Sequence, residues 1–194
     1  MYPEHRTMYP INMLRLFISI NCDDNVKKQL LSVQDKIRAQ SVKGSFSLPE
    51  NLHLTLVFIG ETPEDKIPLI ASVIDNALTP PFDPFTLTFS ATGCFKHSNK
   101  ELWWIGVDHN DTRLVSLKTI RRRIADGLYS EEVNFDNRPF SPHITLGREV
   151  KHVSPIIVPK QEIIYPVNRI SLMKSERVRG ILTYTEIYGM GLGG

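Results

Sequence analysis

Apolar and polar side chains alternate along Leu52, His53, Leu54, Thr55 and Leu56. That period of two predicts a strand from about Leu52 to Ile59, stopping at Gly60. Far downstream, Pro142, His143, Ile144, Thr145, Leu146 and Gly147 repeat the pattern. Successive strand side chains point to opposite faces. His53 and Thr55 therefore share one face and Leu54 and Leu56 the other. His143 and Thr145 are set in the same way against Ile144 and Leu146. Two such strands, each burying its aliphatic face, can form a cleft with two imidazoles and two hydroxyls. One His-apolar-Thr match is weak; two in strand-like runs are a specific signal.

The other elements follow from the same kind of pattern. Residues 14–20 read as a buried strand. Asp23 or Asp24 is expected to cap a helix to about Gln40, with Val26, Leu30, Val33 and Ile37 inward. Residues 44–51 read as a loop with a short strand at 45–48. Thr62 and Pro63 look like a helix start, its stripe being Ile67, Ile70, Ile74 and Leu78, and Pro80 and Pro81 end it. Residues 85–90 and 102–107 read as strands. In the second, Trp103 and Trp104 must face opposite sides, one to the core and one to the cleft or a helix. Asp111 and Thr112 are expected to cap a third helix to about Leu128, with Arg121, Arg122 and Arg123 on a solvated face. Three prolines in 154–166 predict a turn or short helix with extended flanks. Residues 169–174 and 182–188 close the fold as strands, leaving 1–12 as a loose extension and 189–194 as a mobile tail. The order suggests a duplicated strand–helix–strand unit. The expected class is α+β, with mainly antiparallel sheets that are helix-covered on one face and cleft-lining on the other.

Composition narrows the class of function. With 194 residues, 41% apolar and 23% charged, the chain is an ordinary globular domain. A net charge of +2 fits a small phosphate ligand or an RNA end better than a coated duplex. Two cysteines, Cys22 and Cys94, give no disulfide framework and no zinc spacing. No apolar run is long enough to span a bilayer, and residues 1–12 lack a signal-peptide core, so a cytoplasmic protein is expected.

Two histidines suit phosphodiester chemistry without a metal. One gives a proton to the leaving oxygen and the other takes one from the attacking water. Thr55 and Thr145 can donate to non-bridging phosphate oxygens, and Arg148 can add a forked contact. A metal centre is disfavoured because neither motif contains a carboxylate and no His-x-His pair occurs. The nucleophile elbow, Walker loop and dinucleotide glycine motif are also absent. His5, His97, His109 and His152 lack the strand context and read as surface residues. The basic stretch 96–100 reads as a solvated hairpin turn.

These motifs, with the opening Leu14 to Ile18, Gly60, Glu61, Arg138, Pro139, Phe140 and the closing 170–175, resemble the two-histidine phosphoesterase superfamily. The resemblance is greatest to its RNA 2′,3′-cyclic phosphodiesterase family, also called 2′–5′ RNA ligases. It covers 13–188 and implies a single bilobal, pseudo-twofold domain with a central cleft. It also implies cofactor-free opening of terminal 2′,3′-cyclic phosphates to 2′-phosphates, on RNA ends or small cyclic nucleotides, by a monomer. His53 would be the acid on the 3′ oxygen and His143 the base on water. Thr55, Thr145 and Arg148 would hold the phosphate. Val57 stands where many relatives carry arginine. A binding module without turnover, and ligation as the relevant direction, are the alternatives.

Overall fold

Residues 14–20 are largely apolar because the strand they form is flanked by strands at both edges; Leu14, Leu16, Ile18 and Ile20 share one face, and Arg15, Phe17 and Ser19 the other. In the computed structural model, which describes residues 12–97 and 100–193, this strand is β1 (Met13–Asn21). It pairs antiparallel with β3 (His53–Pro63) on one side and β8 (Arg169–Val178) on the other. The remaining strands are β2 (Lys43–Phe46), β4 (Phe85–His97), β5 (Lys100–Val107), β6 (His143–Lys151), β7 (Ile163–Val167) and β9 (Ile181–Gly191). Three helices, α1 (Asp24–Ala39), α2 (Ile67–Ala77) and α3 (Leu114–Ser130), complete the described fold.

The strands form one antiparallel sheet in the order β7-β4-β5-β6-β3-β1-β8-β9, with β2 added beside β6. Its two halves meet at a single register pair, Leu54 opposite Ile144. The order is symmetric about that junction. β1-α1-β3 in one half corresponds to β5-α3-β6 in the other, as the duplication predicts. α1 packs on β7, β6 and β2, while α2 and α3 pack on each other and on β9 and β3. Each helix thus seals the core on one face and leaves the other face of the sheet open.

Local chemistry explains most boundaries. The Asp23 carboxylate accepts a hydrogen bond from Val26 N at 2.7 Å, capping α1, and the stripe Val26, Leu30, Val33 and Ile37 is buried. Gly60 does not end its strand. It takes φ 91° at a bulge where Leu16 pairs with Gly60 but Phe17 with Phe58, so β3 continues to Pro63. Thr62 consequently does not cap a helix. Its hydroxyl donates to Gly60 O, a 3-10 turn follows, and α2 begins at Ile67. Nor do Asp111 and Thr112 cap α3, whose N-cap is Arg113; the Asp111 carboxylate accepts from Thr88 N and Arg113 N instead.

The expected extended flank of the 154–166 segment is β7, which tolerates Pro166 because it lies at the sheet edge, where a missing N–H costs no ladder bond. Two further expectations are corrected. Gly189, Met190 and Gly191 are not loose but pair with Ser171, Ile170 and Arg169. Arg121 and Arg123 are half-buried over the rings of Phe140 and Phe82, and only Arg122 is exposed. Residues 1–11, including His5, lie outside the described residues, as do Ser98, Asn99 and the side chain of His97. Asn12, expected in the loose extension, bonds Glu64 through both its carbonyl and its amide. No helix among the described residues is long and apolar enough to cross a membrane.

Candidate active site

The junction of the two half-sheets carries the site. With Leu54 opposite Ile144 in an antiparallel pair, His53 comes level with Thr145, and Thr55 with His143. The two histidines are thus diagonal neighbours across adjacent strands, a relation that sets such residues about 7–8 Å apart and their β-carbons somewhat closer. Leu54 and Ile144 are fully buried beneath them. His53, Thr55, His143, Thr145 and Arg148 all line one cleft of about 650 Å³. The five residues picked out by sequence therefore come together in one place.

Both rings are held in the same way. His53 Nδ1 lies 2.7 Å from Asn51 O, and His143 Nδ1 lies 2.7 Å from Ser141 O. A carbonyl cannot donate, so each Nδ1 carries the proton and each Nε2 is left to exchange protons in the cleft. The Thr55 hydroxyl lies 2.9 Å from His53 Nε2. In the neutral ring the hydroxyl donates to that nitrogen; once Nε2 is protonated, its hydrogen is freed for another acceptor.

Each imidazole also has two aromatic neighbours. Phe17 and Tyr184 flank His53, with ring centroids at 4.8 and 5.2 Å. Phe95 and Trp104 flank His143, at 5.2 and 6.3 Å. Trp103 is the core member of the tryptophan pair and Trp104 the one beside His143. Trp104 lies flat there because Gly93 and Gly106 have no Cβ; one at Gly93 would come within 2.6 Å of the indole.

Burial sets the charge state of the free site. It pushes the His53 imidazolium down to about 4; the Asn51 carbonyl opposes this, while the charges of Arg148 and His143 add to it. Burial lowers His143 too, with Ser141 O opposing and Arg148 reinforcing. Both rings are therefore neutral at pH 7 in the free site, chiefly because they are buried.

Arg148 reaches the cleft through an irregularity. β6 has an extra residue between Gly147 and Val150 relative to β5, and Glu149 takes φ 53°. The alternation breaks at this bulge, and Arg148 lines the cleft rather than the opposite face. Among the described residues no carboxylate lies within salt-bridge range of it. Val57 is 2% exposed and turned into the core. Charge on that wall comes from Arg15, whose guanidinium lies over the Phe58 ring.

Sequence reading missed several contributors. Asn51 and Ser141 act through carbonyls, which carry no side-chain signal beyond a small polar residue two places before each histidine. Gln34 is buried on the apolar face of α1. Its amide donates to Ser47 O at 2.8 Å and Leu146 O at 2.9 Å, tying the wall beyond β2 to the second motif strand. Its polar position inside the helical stripe was the available signal.

The family profile described as the 2′-5′ RNA ligase superfamily matches residues 24–179. The chain belongs to the 2′-5′ RNA ligase superfamily. Among superfamily relatives, a protein of Thermotoga maritima named RNA 2′,3′-cyclic phosphodiesterase is 32% identical over 136 residues, 70% of each chain. The protein of that name from Escherichia coli is 29% identical over 178 residues, covering 89% of this chain and 93% of its own. The solved structure of E. coli LigT complexed with 3′-AMP matches with a TM-score of 0.74 at 28% identity, over 94% of this chain and all of that one. The curled antiparallel α+β architecture is thus that of the superfamily. Among the described residues no group of three or more His, Cys, Asp or Glu is placed to hold a metal.

Proposed function

We propose that this chain is an RNA 2′,3′-cyclic phosphodiesterase that opens terminal cyclic phosphates to 2′-phosphates by two-histidine acid–base catalysis, without a metal. The observation that carries the reading is the Leu54–Ile144 junction, which sets two equivalently held imidazoles over one cleft. Several superfamily relatives bear that activity in their names.

The substrate brings one negative charge, which offsets Arg148 and favours protonation of the rings. In this reading His53 enters the reaction protonated at Nε2 and His143 neutral. His143 Nε2 takes a proton from water as the water oxygen bonds to phosphorus. The bond from phosphorus to O3′ breaks, and His53 gives its proton to O3′. One water is consumed, and the product carries a 2′-phosphate and a free 3′-hydroxyl. Thr55, Thr145 and Arg148 hold the non-bridging oxygens, where charge accumulates. We read the enzyme as a cytoplasmic monomer; both cysteines are free thiols, as a reducing compartment keeps them.

The test is incubation with a dinucleotide ending in a 2′,3′-cyclic phosphate, in the presence of EDTA. The expected product is the 2′-phosphate, formed at the same rate with and without chelator. A 3′-phosphate product, or loss of turnover with EDTA, would overturn the proposal.

A further inference from the structure

The cleft has more positive charge than one cyclic phosphate needs. Among the described residues three arginines line it, Arg15, Arg148 and Arg177, and no Asp or Glu does. A nucleoside 2′,3′-cyclic phosphate brings a single negative charge, which Arg148 and the histidines already meet. The other two arginines lie to one side, and the strand register shows where.

Arg15 on β1 pairs with Ser175 on β8, which pairs in turn with Tyr184 on β9. These three residues form one row across the sheet on the cleft face. The next row outward on that face is Arg177 with Leu182, about 7 Å further along the strands. Here β8 and β9 have run past the end of their pairing with β1, so the hairpin projects beyond the sheet. All five residues line the cleft. The row begins at the catalytic centre, because the Tyr184 ring packs edge-on against His53. The hairpin is fixed in place: Asn51, whose carbonyl holds His53, donates from its side chain to Leu182 O at 2.8 Å.

Neither arginine is consumed by its neighbours. Arg15 meets Glu61 only at 3.5 Å, with both side chains more than half exposed. Arg177 donates to Gly180 O in its own turn and has no carboxylate partner among the described residues. Glu176, the nearest acid in sequence, points to the other face and pairs with Lys174.

We propose that the β8–β9 hairpin carries a second phosphate subsite, built on Arg15, Ser175 and Arg177, which receives the phosphodiester on the 5′ side of the terminal nucleotide of an RNA strand. Tyr184 and the exposed Leu182 offer flat and apolar surface to the nucleoside between the two phosphates. This rests on the cyclic phosphodiesterase reading and adds to it the residues that bind the strand beyond the reacting phosphate, so that a dinucleotide end is preferred to a mononucleotide.

The experiment compares kcat/KM for a nucleoside 2′,3′-cyclic phosphate with that for a dinucleotide ending in the same group, which differs by one phosphodiester and one nucleoside. Wild type is expected to favour the dinucleotide. Arg177→Gln keeps an amide donor for Gly180 O but removes the charge; it should reduce the dinucleotide-to-mononucleotide ratio about tenfold and weaken the salt dependence of kcat/KM for the dinucleotide. Arg15→Gln, on a different strand, should reduce the same ratio. If both variants leave the ratio at the wild-type value, or lower both substrates in proportion, the subsite does not exist. A wild type that turns over neither substrate would instead overturn the phosphodiesterase reading, and the subsite with it.

Discussion

Replacing His143 with alanine is expected to lower kcat on a 2′,3′-cyclic phosphate by about 10²–10⁴, the usual size of a general acid–base contribution. His53→Ala should lose a comparable factor. The double variant should lose little more than the worse single one, because a proton taken at one end of the reaction is useless without one given at the other. Folding should survive both changes. Each ring sits on the wall of the cleft, above Leu54 and Ile144, and its only backbone bond is to the carbonyl two residues before it. Circular dichroism and steady-state kinetics on the same preparations check this. Wild-type turnover in either folded variant would rule out the two-histidine mechanism.

Arg148→Ala should have the next largest effect, a fall in kcat/KM of about 10²–10³, the range for losing one oxyanion contact. It should also move the pH profile, in a direction fixed by electrostatics. The Arg148 charge disfavours the imidazolium of both His53 and His143. Removing it makes both rings easier to protonate, so both pKa values rise. In wild type the two limbs of the kcat/KM profile should lie below the ordinary histidine value of 6.5, the lower near about 4. In Arg148→Ala both limbs should shift to higher pH. The limbs belong to the coupled pair, so the shift does not depend on which ring is the acid. A profile that keeps its position would mean that Arg148 does not face the histidines.

The site was legible in sequence because its geometry is local. Two residues apart on an unbulged strand is the same face, so His53 with Thr55 and His143 with Thr145 could be paired directly. α1 was equally plain, since its cap and stripe lie within one element. What was hidden depends on partners distant in sequence. The strand through Gly60 continues only because β1 offers a bulged register, and the helix start at Thr62 fails for the same reason. Pro166 sits in a strand because β7 has a free edge. The glycine tail is ordered by β8. Arg148 was recognised by type, but its aim comes from an extra residue in β6 that no alternation pattern reveals. Tyr184 and Phe17 are unremarkable strand aromatics until β9 and β1 bring them to His53. Chemistry repeated within a strand could be read; chemistry assembled across strands could not.

The central claim is that His53 and His143 face one anion together. Nitrogen-15 NMR of the imidazoles during titration with a nucleoside 2′-monophosphate tests it most directly. If they share the anion, both side chains will respond along one saturation curve complete at one equivalent, and both pKa values will rise in the complex. A ligand that saturates while moving only one of the two rings would contradict it.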